Sequence, residues 1–230
     1  MNIKTEAARP TVPMRGIEVI RLTGCQPYRD VYELQVERRK GVEAGQRGNA
    51  LFLLEHTPVV TLGRNFAPSS LLRSEEEIRH LGIDVFPVDR GGDVTYHGPG
   101  QLVAYPILNL QEWRPSIGWY LRSLETVIIR VLEEFGLSGT RLEGFTGVWV
   151  EGAKVAAIGV GLHNWVTFHG IALNIDPDMR HFGLIVPCGI ADKPVTSMKQ
   201  LLGRQPDMQK VMDTFEREFI RVFEAVRTAR

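Results

Sequence analysis

The sequence predicts an α+β domain: a mixed, largely antiparallel β-sheet flanked by helices. Three observations point there. Strand-like runs follow one another without an intervening helix over 50–63 and again over 147–175. Two long segments, 116–136 and 208–226, carry apolar residues at helical spacing. The order of elements lacks the regular strand–helix alternation of a doubly wound parallel sheet.

The elements follow in chain order. Residues 1–15 show no apolar periodicity and read as a loose tail. Residues 16–230 read as a single domain, long enough to bury a sizeable core. "IEVIRL" predicts a strand, and a helix follows from about Tyr28 to Glu43. "ALFLLEH" and "PVVTLG" are β-rich runs parted at Thr57 and Pro58, which predicts a bend or hairpin. "SEEEIRHLG" offers Ser74 as an N-cap and Gly82 as a stop, hence a short helix. "DVFPVD" is a strand entering a glycine-rich stretch, and "LVAYPILNL" is the strand leaving it. Ser116 opens and Gly136 closes a helix whose buried face includes Leu124, Ile128 and Val131. "GVWVE", "KVAAIGVG" and "VTFHGIALNI" predict three further strands, and a helix bearing Phe215, Phe219 and Phe223 ends the chain.

Composition narrows the function. Lys and Arg number 27, as do Asp and Glu, so no net field favours nucleic acid or an anionic membrane. The N-terminus has no apolar h-region, and the longest apolar run, "VAAIGVGL", is far too short to span a bilayer. The expected compartment is the cytoplasm. Cys25 and Cys188 are expected to be free thiols. The six histidines show no ligand spacing, so no metal is expected.

"RGGDVTYHGPGQ", 90–101, is poor in aliphatic side chains and does not read as a core element. A phosphate cradle needs a helix N-terminus directly after its glycines, and here a strand follows. The choice is between a plain turn and a binding wall, and the polar set Arg90, Asp93, Thr95, Tyr96, His97 and Gln101 favours the wall. Alternation in "KVAAIGVG" sets Ala157, Gly159 and Gly161 on one face, with Lys154, Ala156, Ile158 and Val160 on the other. In "VTFHGIALNI" it sets Gly170 and Ala172 opposite His169, Ile171, Leu173 and Ile175. Such stripes of small residues suit a shallow slot for a slim apolar chain, or close packing; the residues alone leave both open. Lys154 heads an aliphatic face, where it either snorkels to water or serves as an acid or base. Cys188, between Pro187 and Gly189, is the candidate nucleophile, because that setting exposes the sulfur and its neighbouring N–H groups. Cys25 has no comparable setting and reads as structural.

In this order, "RGGDVTYHGPGQL", "KVAAIG", "FHGIALNI" and "PCG" resemble the lipoyl(octanoyl) transferase family, from about Ile17 to just beyond Cys188. The resemblance implies the lipoate/biotin protein ligase-like fold and an acyltransferase with a Cys188–Lys154 dyad. It implies acyl binding by Arg90, Gly91, Gly92, Asp93, Val94, Thr95, Tyr96 and His97, by Ala157, Ile158 and Gly159, and by Gly170, Ile171 and Ala172. The implied donor is octanoyl-acyl carrier protein. The implied acceptors are lysines of the lipoyl domains of 2-oxoacid dehydrogenase E2 subunits and of the glycine cleavage H protein. No cofactor is implied, since thioester exchange and aminolysis need no ATP. Backbone N–H groups around Gly189, His97 and Thr95 are the candidate oxyanion donors, and the sequence does not choose among them. The competing expectations are an ATP-dependent lipoate or biotin ligase on the same fold and a non-catalytic acyl-carrier binding module.

Overall fold

A computed structural model describes residues 16–186 and 193–228, with side chains through residue 225. Strands β1 (Glu18–Gln26), β2 (Ala50–His56), β6 (Gln101–Ile107), β9 (Val166–Asn174), β8 (Ala153–His163) and β7 (Val148–Val150) form a six-stranded sheet in that spatial order. Only β1 and β2 run parallel in it; the other neighbours are antiparallel. Strands β4 (Asp84–Pro87), β3 (Val59–Leu62) and β5 (Val94–His97) make a second, three-stranded sheet. Helices α1 (Tyr28–Glu43), α2 (Glu75–His80), α3 (Ile117–Glu134), α4 (Met198–Leu202) and α5 (Met208–Thr228) flank the sheets. The mixed α+β architecture is the one the sequence predicts.

The large sheet is covered on both faces, which is why β2 reads as an unbroken apolar run. Leu51 and Leu53 point to one core with Leu124, Val127, Ile128 and Val131 of α3 and Phe215, Phe219 and Phe223 of α5. Ala50, Phe52 and Leu54 point to the other, with Tyr28 and Val31 of α1. Each of those fully buried phenylalanines contributes roughly 1.5–3 kcal/mol of hydrophobic stabilisation. The helix ends follow their sequence signals. Ser74 and Glu77 form a reciprocal capping box on α2, and the Ser116 hydroxyl accepts from Trp119 N–H at the start of α3. Gly82 and Gly136 take the left-handed φ values of +75° and +79° that end α2 and α3.

Three local readings differ. The run 50–63 bends at Thr57–Pro58 but makes no hairpin, because β2 and β3 belong to different sheets. Val94–His97, read as no core element, is a buried strand antiparallel to β3, whose Val94 and Tyr96 help build a third small core with Val60 and Ile78. Alternation also fails at two places. Val148 pairs with Ala156 but Trp149 pairs with Lys154, so Val155 is an extra residue, a bulge. Val155 and Ala156 therefore both enter the α3–α5 core. Lys154 turns the other way, onto the face of Trp149, with Nζ 5.2 Å from the indole centroid. At His169 a φ of +55° carries the ring off the face of Ile171 and Leu173. It lies instead among Tyr28, Tyr32 and Tyr105 on the α1 side.

The glycines beside these departures are packing positions. A Cβ on Gly170 would lie 2.3 Å from the Ala104 carbonyl oxygen, and one on Gly161 would lie 2.5 Å from the Phe168 ring. Gly170→Ala is therefore expected to force β9 away from β6 and to cost roughly 1–3 kcal/mol. A urea midpoint equal to that of the parent chain would refute this close approach.

Candidate active site

Of the acyl-binding residues expected from the sequence, all but Asp93, Val94 and Tyr96 line one inner cavity. The loop 90–92 supplies one wall, and Gly91 N–H donates to Val160 O on the open edge of β8 (2.9 Å). Arg90 is buried and braces this loop: Nη2 donates to Thr61 O and Oγ1 at 2.9 and 2.8 Å, and Nη1 to Gly91 O at 3.0 Å. The missing Cβ of Gly159 makes room for that brace, since an added carbon would lie 3.0 Å from Arg90 Cδ. Ala157 and Ala172, paired across β8 and β9, are the small side chains that face the cavity.

The three exceptions have other partners. Asp93 accepts from the Ser70 hydroxyl and from Ala67 N–H, which ties down the turn before α2. Val94 belongs to the small core. Tyr96 bonds His181 Nδ1 at 2.8 Å, and burial pushes its hydroxyl up to about 12.

The far end of the cavity was not anticipated. Tyr28, Tyr105 and His169 line it together with His97. His169 Nε2 donates to Asp89 Oδ1 at 3.0 Å, so Nδ1 accepts from the Tyr28 hydroxyl at 3.2 Å. His56 stands behind Tyr105: Nδ1 donates to Gln26 O at 2.9 Å and Nε2 accepts from the Tyr105 hydroxyl at 2.8 Å. Burial pushes His169 down, and with it His97, whose value falls well below that of a free imidazole. His56 is pushed down to about 4 by the same cause. The Asp89 carboxyl is held low by its bond from His169. Neutral His97 gives its Nδ1 proton to Gln101 Oε1 at 3.2 Å, because the Gln101 amide is already donating to Tyr96 O and Asn174 Oδ1. His97 thus has no proton left for an oxyanion, which removes it from the expected donors. In sequence, Tyr28 only marked the start of a helix and Tyr105 only lay in a predicted strand, while His169 was placed on the wrong face.

A larger, open cleft adjoins the cavity and shares Gly91, Gly92, Ile158 and Gly159 with it. Lys154 and Phe145 line this cleft. Lys154 is only 7% exposed. Its neighbour is the loop ending at Gly147, where a Cβ would lie 2.7 Å from Lys154 Cε. Buried Glu125 of α3 fixes that loop, accepting from Arg122 Nη1 at 2.7 Å, Arg141 Nε at 2.9 Å and Gly147 N–H at 3.3 Å. Glu125 was not anticipated either, since a lone carboxylate in a helix carries no sequence signal.

Cys188 lies outside the described residues. The chain on either side of 187–192 is held: Val186 N–H donates to Ser70 O, while Lys154 N–H donates to Pro194 O and Thr196 N–H to Lys154 O. Cys25 is exposed on β1, and desolvation together with Glu55 pushes its thiol up, the reverse of an activated nucleophile. Among the described residues no cluster of His, Cys, Asp or Glu is arranged to hold a metal ion, and no helix is long and apolar enough to cross a membrane.

Known proteins fit this geometry. The family described as the lipoyl protein ligase A/B catalytic domain matches residues 27–220. The octanoyltransferase of Solibacter usitatus (strain Ellin6076) is 46% identical over 205 residues, covering 89% of this chain and 92% of its own. The chain belongs to the octanoyltransferase family. A second member, from Chloroflexus aggregans (strain MD-66 / DSM 9485), is 45% identical over 214 residues, covering 92% of this chain and 96% of its own. The fold extends beyond the family. A putative lipoate protein ligase from T. acidophilum with bound lipoic acid superposes with a TM-score of 0.71 at 13% identity, covering 90% of this chain and 86% of that one. The biotin protein ligase from Aquifex aeolicus in complex with biotin and ATP gives 0.56 at 14% identity, covering 92% and 72%. At such identities the likeness is one of fold alone.

Proposed function

We propose that this chain transfers an octanoyl group from an acyl carrier protein thioester to a lysine of a lipoyl domain, through a thioester on Cys188. The acceptor class follows from the family, whose relatives are octanoyltransferases and lipoate ligases. Octanoyl transfer of this kind serves lipoate attachment. In the first step the Cys188 thiolate attacks the thioester carbonyl; the carrier thiolate leaves and takes up a proton. In the second, the acceptor ε-amine attacks the new thioester, Cys188 leaves as thiolate, and an amide forms after the amine loses a proton. Lys154 stabilises the thiolate as an ammonium and, as a neutral amine, accepts the proton of the attacking lysine.

One observation carries the reading. Lys154 stands in the cleft where the apolar cavity opens, and the chain returns beside it at Pro194, shortly after Cys188. The test is intact mass after mixing with octanoyl-acyl carrier protein. One octanoyl group should appear on the protein without ATP and disappear when a lipoyl domain is added. Cys188→Ser should show no adduct. An unmodified parent mass, or a Cys188→Ser chain that still transfers with ATP, would overturn the proposal in favour of an adenylating ligase.

A further inference from the structure

The inner cavity ends on a wall of rings, and this wall bears on which acyl chains the protein accepts. The argument rests on the acyl transfer proposed above. Lys154 lines the outer cleft, and the cleft meets the cavity at Gly91, Gly92, Ile158 and Gly159. The reacting carbonyl therefore belongs at that junction, and the hydrocarbon tail runs inward. From β8 across β9 to β6 the cavity crosses two inter-strand steps, about 10 Å in all. That is comparable with the length of an extended eight-carbon chain.

The residue met on β6 is Tyr105, which is 3% exposed. Its hydroxyl is engaged, donating to His56 Nε2 at 2.8 Å. The ring is supported from several sides. His56 lies 5.8 Å from it, between centroids, and Tyr28 packs 5.0 Å from His56. Tyr28 also stacks on His97 at 6.2 Å with only 9° between the planes. The Tyr28 hydroxyl is engaged with His169. Both tyrosines thus spend their polar atoms elsewhere and offer the cavity aromatic carbon, which suits a terminal methyl group. A wall tied by hydrogen bonds to two elements does not yield easily to a longer tail.

We propose that Tyr105, held in place by His56, is the residue that sets the upper limit on acyl length. Shortening it opens the cavity toward His56, and each further methylene taken out of water is worth about four-fold in binding. The experiment compares hexanoyl, octanoyl, decanoyl and dodecanoyl thioesters of acyl carrier protein as donors. Rates of acyl-enzyme formation are read by intact mass for the parent chain, Tyr105→Ala and Tyr105→Leu. The parent is expected to favour octanoyl. In Tyr105→Ala the decanoyl-to-octanoyl ratio should rise roughly ten-fold, with a smaller rise in Tyr105→Leu. Ala172→Leu, which fills the same cavity, should shift preference toward hexanoyl. Tyr105→Leu keeps apolar bulk in the core and decides the question if Tyr105→Ala does not fold. A folded Tyr105 variant with the parent ratio overturns the assignment. A parent chain that takes up no acyl group from any donor overturns the transfer reading instead.

Discussion

Lys154→Ala is expected to slow octanoyl transfer by about a thousand-fold, within the roughly 10²–10⁴ that a positioned acid or base supplies. The fold should survive, because the backbone of Lys154 keeps its bonds to Pro194 and Thr196. What is lost is the ammonium beside the proposed nucleophile and the amine that takes the acceptor's proton. The two roles separate in single-turnover experiments. Acylation by octanoyl-acyl carrier protein should slow because less Cys188 is ionised, and raising the pH should restore much of that rate. Deacylation by a lipoyl domain should slow as well and recover less, since the general base is gone. A variant retaining a tenth or more of both rates would remove Lys154 from the mechanism.

Acid is expected to weaken the fold well before carboxylates titrate. His56, His97 and His169 are all buried as neutral rings, with values depressed by desolvation. In the unfolded chain they take up protons near pH 6.5. As the pH falls through that value the unfolded state binds protons that the folded state refuses, so stability drops. For His56 the drop continues until the folded ring itself protonates, at about 4. Over that window His56 alone accounts for about 3 kcal/mol, and above pH 7 the three rings contribute nothing. Urea midpoints measured from pH 7.5 to 4.5 should fall steadily, and His56→Gln should fall less. A flat profile between pH 7 and 5 would mean that these rings are charged in the folded protein.

Much of the architecture was legible in the sequence because its signals are local. The caps at Ser74 and Ser116, the stops at Gly82 and Gly136, and the helical stripes of α3 and α5 each occupy a few adjacent residues. Sidedness was legible only where the backbone keeps its period. The bulge at Val155 is defined by how β8 pairs with β7, so nothing in "KVAAIG" reveals that Lys154 faces away from Ala156. His169 reads as an ordinary strand residue until its positive φ is seen. The same limit applies to the end of the cavity. Tyr28 and Tyr105 come from α1 and β6 and meet only after folding, with His56 of β2 behind them. Gly159 and Gly170 were marked as small positions, yet their bareness serves Arg90 and the Ala104 carbonyl.

The cavity runs across the strands and not along one of them, and this separates two tasks. Lys154 belongs to β8, beside β7, whereas Tyr105 belongs to β6, with all of β9 between. Changes at one end need not disturb the other. A lineage built on this scaffold can alter the size of the group it carries through α1 and β6 while its reaction chemistry stays as it was.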